Sequence, residues 1–447
     1  MEEKAPQPAA APSLEKELLG KITSHKAQIG IIGLGYVGLP LATEFALKGF
    51  RVCGIDVDRG RVAAISRGES YIGDVNSAIL HGVVVKELLR ATTDEAAIAD
   101  TDAVIICVPT PLRKTKDPDV SFIVDAVAMI RRHAHAGQLI ILESTTYPGT
   151  CEELVAPMLA ETGLRVGTDL FLAFSPERVD PGNKAFSTRN IPKVVGGING
   201  PSARLAAALY GQVIERIHPV SSTKAAEMVK LLENTFRSVN IGLINEFALI
   251  CDRMGIDVWE VIEAASTKPF GFMPFYPGPG LGGHCLPIDP LYLSWKAKIL
   301  DVEANFIDLA AKINAAMPRH VVEKVAAALN DDGKPVRGSR ILILGVAYKR
   351  DVADVRESPA LDIIKHLLAR GAVVGYSDPH VPELRYNGLE MASAALTPET
   401  LGAADCAVIV ANHAAFDYQA LVDHARLVLD TRNATKGHTG RARVVKL

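Results

Sequence analysis

The residue with the clearest chemical potential is a cysteine in a loop rich in glycine and proline. Cys285 stands in the stretch 277–290, PGPGLGGHCLPIDP, which holds four glycines and four prolines. Because both residue types are unfavourable inside helices and central strands, the stretch predicts a shaped loop. An apolar, helix-compatible run at 291–300 follows, so Cys285 is expected near a helix N-terminus, where a thiolate is favoured. Asp289 would place a carboxylate beside this nucleophile. A small buried cysteine in a tight turn is the alternative.

A long helix is predicted to supply two further polar side chains. From 222 to about 255 no proline interrupts a helical period of apolar residues. Lys230 and Asn234 stand four residues apart on this segment and can reach the same point. Glu177 follows the predicted strand at 170–174, which puts a carboxylate at a strand end. For Lys230 and Asn234 the alternative is that they lie on a solvated helix face. For Glu177 the alternative is an exposed acid in a loop.

The turn after the first predicted strand has the spacing of a dinucleotide-binding loop. Residues 28–32 form an apolar strand, and GLGYVG precedes the helical run at 39–47. Gly33 allows the tight turn, Gly35 lets a pyrophosphate approach the backbone, and Gly38 lets helix and strand pack closely. The predicted cofactor-binding residues of this turn are Gly33, Gly35, Tyr36, Val37 and Gly38.

An acidic residue at the end of the next strand indicates which cofactor is used. Asp56 follows the predicted strand at 51–55 and can bond both ribose hydroxyls of an adenosine. Its charge would repel a 2′-phosphate, so the sequence favours NAD over NADP. Arg59 and Arg61 follow closely, and a plain turn residue is the alternative for Asp56.

Two more strand ends are expected beside the nicotinamide. The runs at 102–108 and 139–142 are almost continuously apolar, as in parallel strands that are covered on both faces. In such sheets the ligand lies beyond the carboxyl ends of the strands. The residues predicted there are Pro109, Thr110, Ser144 and Thr145.

A second alternation of strands and helices begins near residue 330. Its first turn, GVAYK at 345–349, lacks the three-glycine pattern, so it is not expected to bind a dinucleotide pyrophosphate. Lys349, Arg350 and Arg356 cluster at this strand end instead, which suits the phosphates of a different nucleotide.

Composition narrows the class of protein. The chain has 447 residues, 22% charged residues and a formal net charge of −3, which gives no reason to expect nucleic acid or an anionic membrane as a partner. Without a long apolar run or a signal peptide, a soluble cytoplasmic protein is expected. The six cysteines lack metal-ligand spacing, so neither a metal site nor a disulfide framework is predicted.

These patterns predict an α/β protein with two Rossmann-like, doubly wound parallel-sheet domains joined by a long central helix. About 30 residues of helix span roughly 45 Å, more than one small core requires, so a helical dimerisation region and a homodimer or higher homo-oligomer are expected. The predicted divisions are a flexible tail (1–24), an NAD-binding domain (25–215), a central helical domain with the cysteine loop (216–325) and a second nucleotide-binding domain (326–447), for which a family resemblance implies UDP-sugar binding.

Over residues 27–435 the chain resembles the nucleotide-sugar 6-dehydrogenases, a family that includes UDP-glucose, GDP-mannose and UDP-N-acetylhexosamine dehydrogenases. The motifs that carry this resemblance are GLGYVGLP at 33–40, ST at 144–145, SPE at 175–177, Lys230 with Asn234, GGHCLPID at 282–289, and Lys349 with Arg356. The resemblance implies a four-electron oxidation of a sugar C6 alcohol to a carboxylate with two NAD, in polysaccharide biosynthesis.

The resemblance also implies roles for individual residues. Lys230, or a water held by Asp289, takes the hydroxyl proton, and the Cys285 thiolate then attacks the aldehyde. Lys230 and Asn234 stabilise the oxyanion, and Glu177 or Asp289 activates the water that hydrolyses the thioester. The catalytic set is Cys285, Lys230, Asn234, Asp289, Glu177 and Thr145. The substrate-binding set is Glu177, Arg178, Lys230, Asn234, Gly282, Lys349 and Arg356.

Within the family, the runs at 114–119 and 143–150 look most like the UDP-N-acetylglucosamine branch. UDP-glucose enzymes carry a second acidic residue shortly after the equivalent of Glu177, and the nearest acid in this chain, Asp180, is one position short of that place. They also carry an arginine just before the cysteine loop, where this chain has Lys268. UDP-glucose and UDP-N-acetylmannosamine are the alternative substrates. A two-electron dehydrogenase of the hydroxyacid type would not need Cys285. A catalytically silent nucleotide-sensing protein is the alternative from another class.

Overall fold

The protein is described by a computed structural model that covers residues 13–447 except 74, 114–116, 180–185, 187 and 284. Four stretches discussed above therefore lie wholly or partly outside the described residues: the start of the predicted tail, residues 114–116 of the branch motif, Asp180, and His284 of the cysteine loop. The chain forms two compact units, 1–232 and 233–447. The division falls inside one long helix.

The first unit is built on a sheet covered by helices. Its strands are β1 (Gln28–Ile32), β2 (Arg51–Ile55), β3 (Leu89–Thr92), β4 (Ala103–Ile106), β5 (Leu139–Leu142), β6 (Phe171–Phe174), β7 (Lys193–Gly197) and β8 (Ile217–Val220). Its helices are α1 (Leu14–Thr23), α2 (Gly38–Leu47), α3 (Arg59–Ser66), α4 (Ser77–Val85), α5 (Ser121–His133), α6 (Ala156–Ala160) and α7 (Gly200–Tyr210), with a 3₁₀ turn at Glu95–Asp100 and a π turn at Cys151–Val155. The long helix α8 (Thr223–Met254) begins here and continues into the second unit.

The order of the strands confirms the predicted Rossmann-like sheet. Within the described residues the order is β3-β2-β1-β4-β5-β6-β7-β8, and β1 to β6 are parallel. The first six follow the 3-2-1-4-5-6 order of dinucleotide-binding folds. Strand β7 runs antiparallel to β6 and parallel to β8. The central strands are buried on both faces, as their continuous apolar runs predicted.

The prediction of a flexible tail over 1–24 is wrong for its second half, which forms helix α1. Ser13 caps the helix by accepting from the Lys16 N–H at 3.4 Å, and Leu18 and Ile22 are buried in the core. These two residues are one turn apart and supply an apolar face. The alanine- and proline-rich composition of the preceding residues obscured this short pattern.

The second unit contains the remainder of α8 and a smaller sheet. Its strands are β9 (Arg340–Leu344), β10 (Val373–Ser377), β11 (Glu383–Tyr386), β12 (Leu389–Ala392), β13 (Cys406–Ile409), β14 (Leu427–Asp430) and β15 (Arg443–Lys446). Its helices are α9 (Val258–Ala265), α10 (Asp289–Ile299), α11 (Asn305–Asp331), α12 (Pro359–Ala369), α13 (Pro398–Ala403) and α14 (Tyr418–His424). Strands β10-β9-β13-β14-β15 form a parallel sheet, and β11 and β12 form a separate antiparallel pair. None of the helices in the described part of the chain has the length and apolarity that a bilayer crossing requires.

Candidate active site

The turn between β1 and α2 has the geometry that its three glycines predicted. Gly33 has φ +92°, and a Cβ there would lie 2.5 Å from the carbonyl oxygen of Cys107. A Cβ at Gly38 would lie 1.9 Å from the carbonyl oxygen of Gly33. At Gly35, by contrast, a Cβ would meet no described heavy atom within 4 Å. The turn is therefore closed on two sides and open at Gly35, where a pyrophosphate can approach the backbone.

Asp56 lies at the end of β2 beside this turn. Its Oδ2 accepts from the Leu34 N–H at 2.8 Å, and its Oδ1 accepts from the Asp58 N–H at 2.9 Å. The Arg61 guanidinium lies 3.3 Å from Oδ2. The acid is thus fixed where an adenosine ribose is recognised in this fold, with a cation at its side.

Asp56→Asn is expected to lower kcat/KM for NAD by roughly tenfold and to raise the NADP-to-NAD activity ratio by a similar factor. The Asn side chain keeps an acceptor for the turn but loses the charge that repels a 2′-phosphate, and it leaves Arg61 available to meet that phosphate. Steady-state kinetics with both cofactors measure the ratio. The control is Arg61→Ala added to Asp56→Asn, which should lower NADP use again. An unchanged ratio in the single variant would contradict this role.

The predicted nicotinamide-side residues lie at the ends of β4 and β5, with different exposures. The Ser144 hydroxyl donates to the carbonyl oxygen of Val108 at 2.8 Å, so it ties the two strand ends together. Thr110 is buried, Thr145 is half-buried and Pro109 is exposed. In the glycine turn itself, Tyr36 is exposed and Val37 is half-buried.

Lys230 and Glu177 are brought together by α8 and the loop after β6. The Lys230 ammonium, only 8% exposed, donates to the backbone carbonyl of Glu177 at 2.7 Å. The Glu177 carboxylate accepts from the N–H groups of Arg178 and Val179 at 2.7 and 2.6 Å and from the Lys193 ammonium at 3.1 Å. Both of its oxygens are therefore engaged within the first unit. The Arg178 guanidinium donates to the carbonyl oxygen of Pro192 at 2.5 Å.

Three buried residues beside Glu177 were not singled out from the sequence: Glu143, Lys193 and Tyr210. The Lys193 ammonium bonds both Glu143 and Glu177, and the Tyr210 hydroxyl donates to Glu143 at 2.5 Å. The sequence signal that could have identified two of them is a charged residue at one end of an apolar strand: Glu143 directly follows β5, and Lys193 is the first residue of β7.

Burial and opposite charge set the ionisation of this cluster. Burial raises the pKa of the Glu143 carboxyl to about 7, against the opposing charge of Lys193. Burial also disfavours ionisation of Glu177, but the Lys193 charge and the hydrogen bonds to its oxygens outweigh it and lower its pKa to about 2. Burial disfavours the charge on Lys193, yet the two carboxylates raise its pKa above the ordinary value. At neutral pH, Glu177 and Lys193 are therefore charged, and Glu143 is near its midpoint.

In the second unit, Cys285 lies directly before helix α10. Its carbonyl oxygen accepts from the N–H groups of Ile288 and Asp289 at 3.0 and 2.8 Å, in the turn that leads into the helix, and the residue is exposed. Asp289 is 3% exposed, and its Oδ2 accepts from the Asn234 amide at 2.5 Å. The structure thus places the exposed cysteine four residues before a buried carboxylate whose orientation Asn234 fixes.

The cysteine loop is held by helix α8 and by the connection that follows β9. The Gly278 N–H donates to the Asn245 side chain at 2.9 Å, and the Gly283 N–H donates to the Arg356 carbonyl at 3.2 Å. At Gly282 a Cβ would lie 2.8 Å from the Cβ of Tyr348. These contacts explain the predicted loop, because only glycine allows such close packing at this point.

The basic residues predicted for the second nucleotide follow β9. The Arg356 guanidinium makes a two-pronged ion pair with Asp354, at 3.0 and 2.6 Å. The Lys349 ammonium lies 5.8 Å from the ring centroid of Tyr348. A further arginine, Arg432, was not singled out from the sequence; it is 2.4 Å from where a Cβ of Gly278 would lie. Burial lowers the pKa of Arg432 to about 10.

Asp351, His380 and His413 also lie close together in this unit. His413 Nδ1 accepts from the Asp351 N–H at 2.9 Å, and its Nε2 faces Asp378 at 3.1 Å. Asp378 in turn accepts from the N–H groups of Val346 and Ala347. Both ring nitrogens of His413 are thus used in holding the loops at the edge of the second sheet.

Iodoacetamide is expected to modify Cys285 before any other cysteine. The other five cysteines are buried, and burial raises the pKa of the Cys107 and Cys151 thiols well above the ordinary range. Thiolates, not thiols, are the reactive form. Peptide mass spectrometry after treatment with one equivalent of reagent should find the adduct on Cys285, with NADH formation lost in parallel. A first adduct on another cysteine would contradict the assignment.

Comparison with known proteins identifies the family over most of the chain. Residues 27–214 match the NAD binding domain of the UDP-glucose/GDP-mannose dehydrogenase family, residues 224–316 match its central domain, and residues 342–437 match its UDP binding domain.

Individual relatives agree with this match. The chain is 38% identical over 358 residues to a UDP-N-acetyl-D-glucosamine 6-dehydrogenase of Pseudomonas aeruginosa, covering 79% of this chain and 83% of the relative. It is 36% identical over 394 residues to a UDP-N-acetyl-D-mannosamine dehydrogenase of Methanococcus maripaludis, covering 87% of each.

A solved structure of UDP-D-ManNAc dehydrogenase from Pyrococcus horikoshii superposes with a TM-score of 0.86 at 34% identity, covering 94% of this chain and 98% of that one. The resemblance, the fold class and the NAD cofactor expected from the sequence are confirmed. The chain belongs to the UDP-glucose/GDP-mannose dehydrogenase family and is an NAD-dependent nucleotide-sugar 6-dehydrogenase.

Proposed function

We propose that the chain oxidises the C6 alcohol of a UDP-N-acetylhexosamine, with UDP-N-acetylglucosamine as the first candidate, to the uronic acid through a covalent adduct on Cys285. The observation that carries this proposal is the exposed Cys285 in the turn before α10, whose carbonyl oxygen accepts from the N–H of Asp289, the partner of Asn234. An ordinary two-electron alcohol dehydrogenase has no use for a nucleophile at this place.

Bound NAD would accept a hydride in each of the two oxidations, and the open side of the glycine turn at Gly35 fits its pyrophosphate. In the first oxidation the sugar hydroxyl gives its proton to the neutral amine form of Lys230, which becomes the ammonium, or to a water held by Asp289. The Cys285 thiolate then adds to the aldehyde carbon and forms a thiohemiacetal. Lys230 and Asn234, one helical turn apart on α8, stabilise its oxyanion.

The second oxidation converts the thiohemiacetal to a thioester, which water hydrolyses to release the acid and the thiol. Either Asp289 or Glu177 is proposed to activate this water; both Glu177 oxygens are engaged by Lys193 and by backbone N–H groups, and Asp289 Oδ2 is engaged by Asn234. Lys349 and Arg356 are the proposed contacts to the UDP phosphates, together with Arg178 and Gly282 in the substrate-binding set.

Counting cofactor separates this reaction from its alternatives. Two NADH per sugar are expected, measured by absorbance at limiting substrate. One NADH per sugar would indicate a two-electron dehydrogenase, and none would indicate a nucleotide-sensing protein without catalytic activity.

The sugar is the finer part of the proposal. The relatives named above divide between UDP-N-acetyl-D-glucosamine and UDP-N-acetyl-D-mannosamine. UDP-N-acetylmannosamine is therefore the main alternative, followed by UDP-glucose. Side-by-side kcat/KM values for the three UDP-sugars with NAD decide between them. Activity confined to UDP-glucose would overturn the assignment to N-acetylhexosamines.

We also propose a homodimer formed through α8. Within the second unit, this helix exposes a series of apolar side chains spaced by three, four or seven residues, which is the pattern of helix-to-helix packing. They are Phe236, Leu243, Phe247, Ile250 and Met254, each 44–66% exposed. Because such a face is costly in water, a second copy of the chain is the proposed occupant. Light scattering should give twice the chain mass for the wild type and a lower mass for Phe247→Glu.

A further inference from the structure

Lys193 lies at the centre of a buried polar cluster in the first unit that the proposed reaction does not itself explain. Its side chain is 5% exposed and that of Glu143 is fully buried. The Lys193 ammonium bonds the Glu143 and Glu177 carboxylates, the latter at 3.1 Å. The Tyr210 hydroxyl donates to the second oxygen of Glu143 at 2.5 Å, and the Tyr210 ring centroid lies 5.2 Å from the Lys193 nitrogen. A charge buried this deeply is costly unless its partners are well placed.

The reversed direction of β7 creates this cluster. In a parallel strand the last residue lies at the ligand edge of the sheet, but β7 runs antiparallel to β6 and brings its first residue, Lys193, to that edge. Phe174 pairs with Gly196, so the same register continued places position 177 opposite position 193. This register places position 175 opposite position 195, and the Ser175 hydroxyl donates to the carbonyl oxygen of the neighbouring Val194 at 2.8 Å.

The cluster is connected to Lys230 through the backbone of Glu177. The Glu177 carboxylate is engaged by Lys193 and by two N–H groups, while its carbonyl accepts from the Lys230 ammonium at 2.7 Å. A shift of the Glu177 side chain therefore moves the acceptor that orients Lys230. A displacement of about 1 Å in such a group is enough to cost up to 10²-fold in rate.

We propose that Lys193 and Glu143 are positioning residues for the first oxidation: they fix the Glu177 peptide, and its carbonyl directs the Lys230 side-chain nitrogen to the sugar hydroxyl. This inference rests on the proposed function, because it takes Lys230 to act at C6. Neither Lys193 nor Glu143 needs to touch substrate or cofactor in this role.

Glu143 also makes the arrangement sensitive to pH. The titratable groups that face it are Lys193, Glu177, Tyr210 and Cys107. Burial raises the pKa of Glu143 to about 7, so the ionised form that anchors the Lys193 ammonium is gained or lost in the neutral range. Below that range Glu143 is protonated and anchors Lys193 less firmly, so kcat is expected to fall there.

Glu143→Gln is the sharpest test, because it keeps the shape of the side chain and removes its titration. We expect kcat to fall about tenfold, with KM for the UDP-sugar and NAD affinity within about twofold of wild type. The wild-type inflection of kcat near pH 7 should disappear in the variant. The matched control is Glu227→Gln, a buried glutamate on α8 that accepts from the Gly149 and Cys151 N–H groups and should keep both kcat and the inflection.

Thermal unfolding gives a readout that does not depend on activity. A carboxyl whose pKa is raised on folding contributes stability at low pH that is lost as pH rises through its folded pKa, here about 7. Because glutamine does not ionise, the variant has no such pH-dependent loss of stability. The melting temperature of Glu143→Gln minus that of the wild type should therefore rise from pH 5 to pH 8.

Lys193 is tested by a pair of variants. Lys193→Met removes the charge and should reduce kcat more than Glu143→Gln, and Lys193→Arg should recover part of the loss. The proposal is overturned if Glu143→Gln and Lys193→Arg both keep the wild-type kcat and pH profile and differ from the wild type only in melting temperature. Failure of the proposed function would be seen separately, as a wild-type enzyme that does not form two NADH per UDP-sugar.

Discussion

Cys285→Ser is expected to reduce steady-state NADH formation by roughly 10³-fold or more, the scale of loss when a covalent nucleophile is removed. A serine hydroxyl keeps the size of the side chain but is a far poorer nucleophile than a thiolate at neutral pH. The substitution changes none of the residues proposed to bind NAD in the glycine turn and at Asp56, so NAD binding should be unchanged.

Three measurements make this test specific. Steady-state absorbance gives turnover, calorimetry gives NAD affinity, and mass spectrometry of wild-type enzyme stopped during turnover should detect a sugar adduct on the Cys285 peptide that the variant lacks. Cys251→Ala, at a buried cysteine of α8, is the matched control for loss of a thiol. Wild-type turnover in Cys285→Ser would remove the covalent step from the mechanism.

Lys230→Ala is expected to lower kcat by about 10²- to 10⁴-fold, the usual contribution of a positioned general acid or base. The Lys230 ammonium is buried and fixed at 2.7 Å from the Glu177 carbonyl, so no exposed lysine can take its place. The KM for the UDP-sugar should change much less than kcat, because the interaction is strongest in the transition state.

Lys224→Ala is the matched control for Lys230. It lies on the same helix, is about half exposed and pairs with Glu152, so its loss should leave kcat near the wild-type value. A Lys230→Ala enzyme with wild-type kcat and a raised KM would reassign the residue to substrate binding alone.

Much of the fold was accessible from the sequence because it depends on local rules. Continuous apolar runs predicted the parallel strands, and three glycines predicted the turn between β1 and α2, where the structure shows backbone contacts that exclude a side chain at two of them. The glycine- and proline-rich loop and the apolar run after it predicted Cys285 directly before α10. Each of these features is set by residues that are neighbours in the chain.

The partners of the site residues were decided by tertiary structure. Asn234 bonds Asp289, and Arg356 bonds Asp354, yet the sequence assigned Asn234 only to catalysis and substrate binding, and Arg356 only to substrate binding. Such pairings depend on which side chains the fold brings within hydrogen-bonding distance. Helix α1 was missed for a related reason, since two apolar residues indicate a helix only once a core is present to bury them.

The cluster around Lys193 shows most clearly what could not be predicted from the sequence alone. The sequence predicted a parallel sheet and did not indicate that β7 runs in the opposite direction, and the direction of a strand decides which of its ends carries a functional residue. Because β7 is antiparallel to β6, its first residue meets Glu143 and Glu177, which are 50 and 16 positions away in the chain. Strand identity follows from local apolar pattern, whereas strand direction follows from pairing between distant segments, and only the folded chain fixes it.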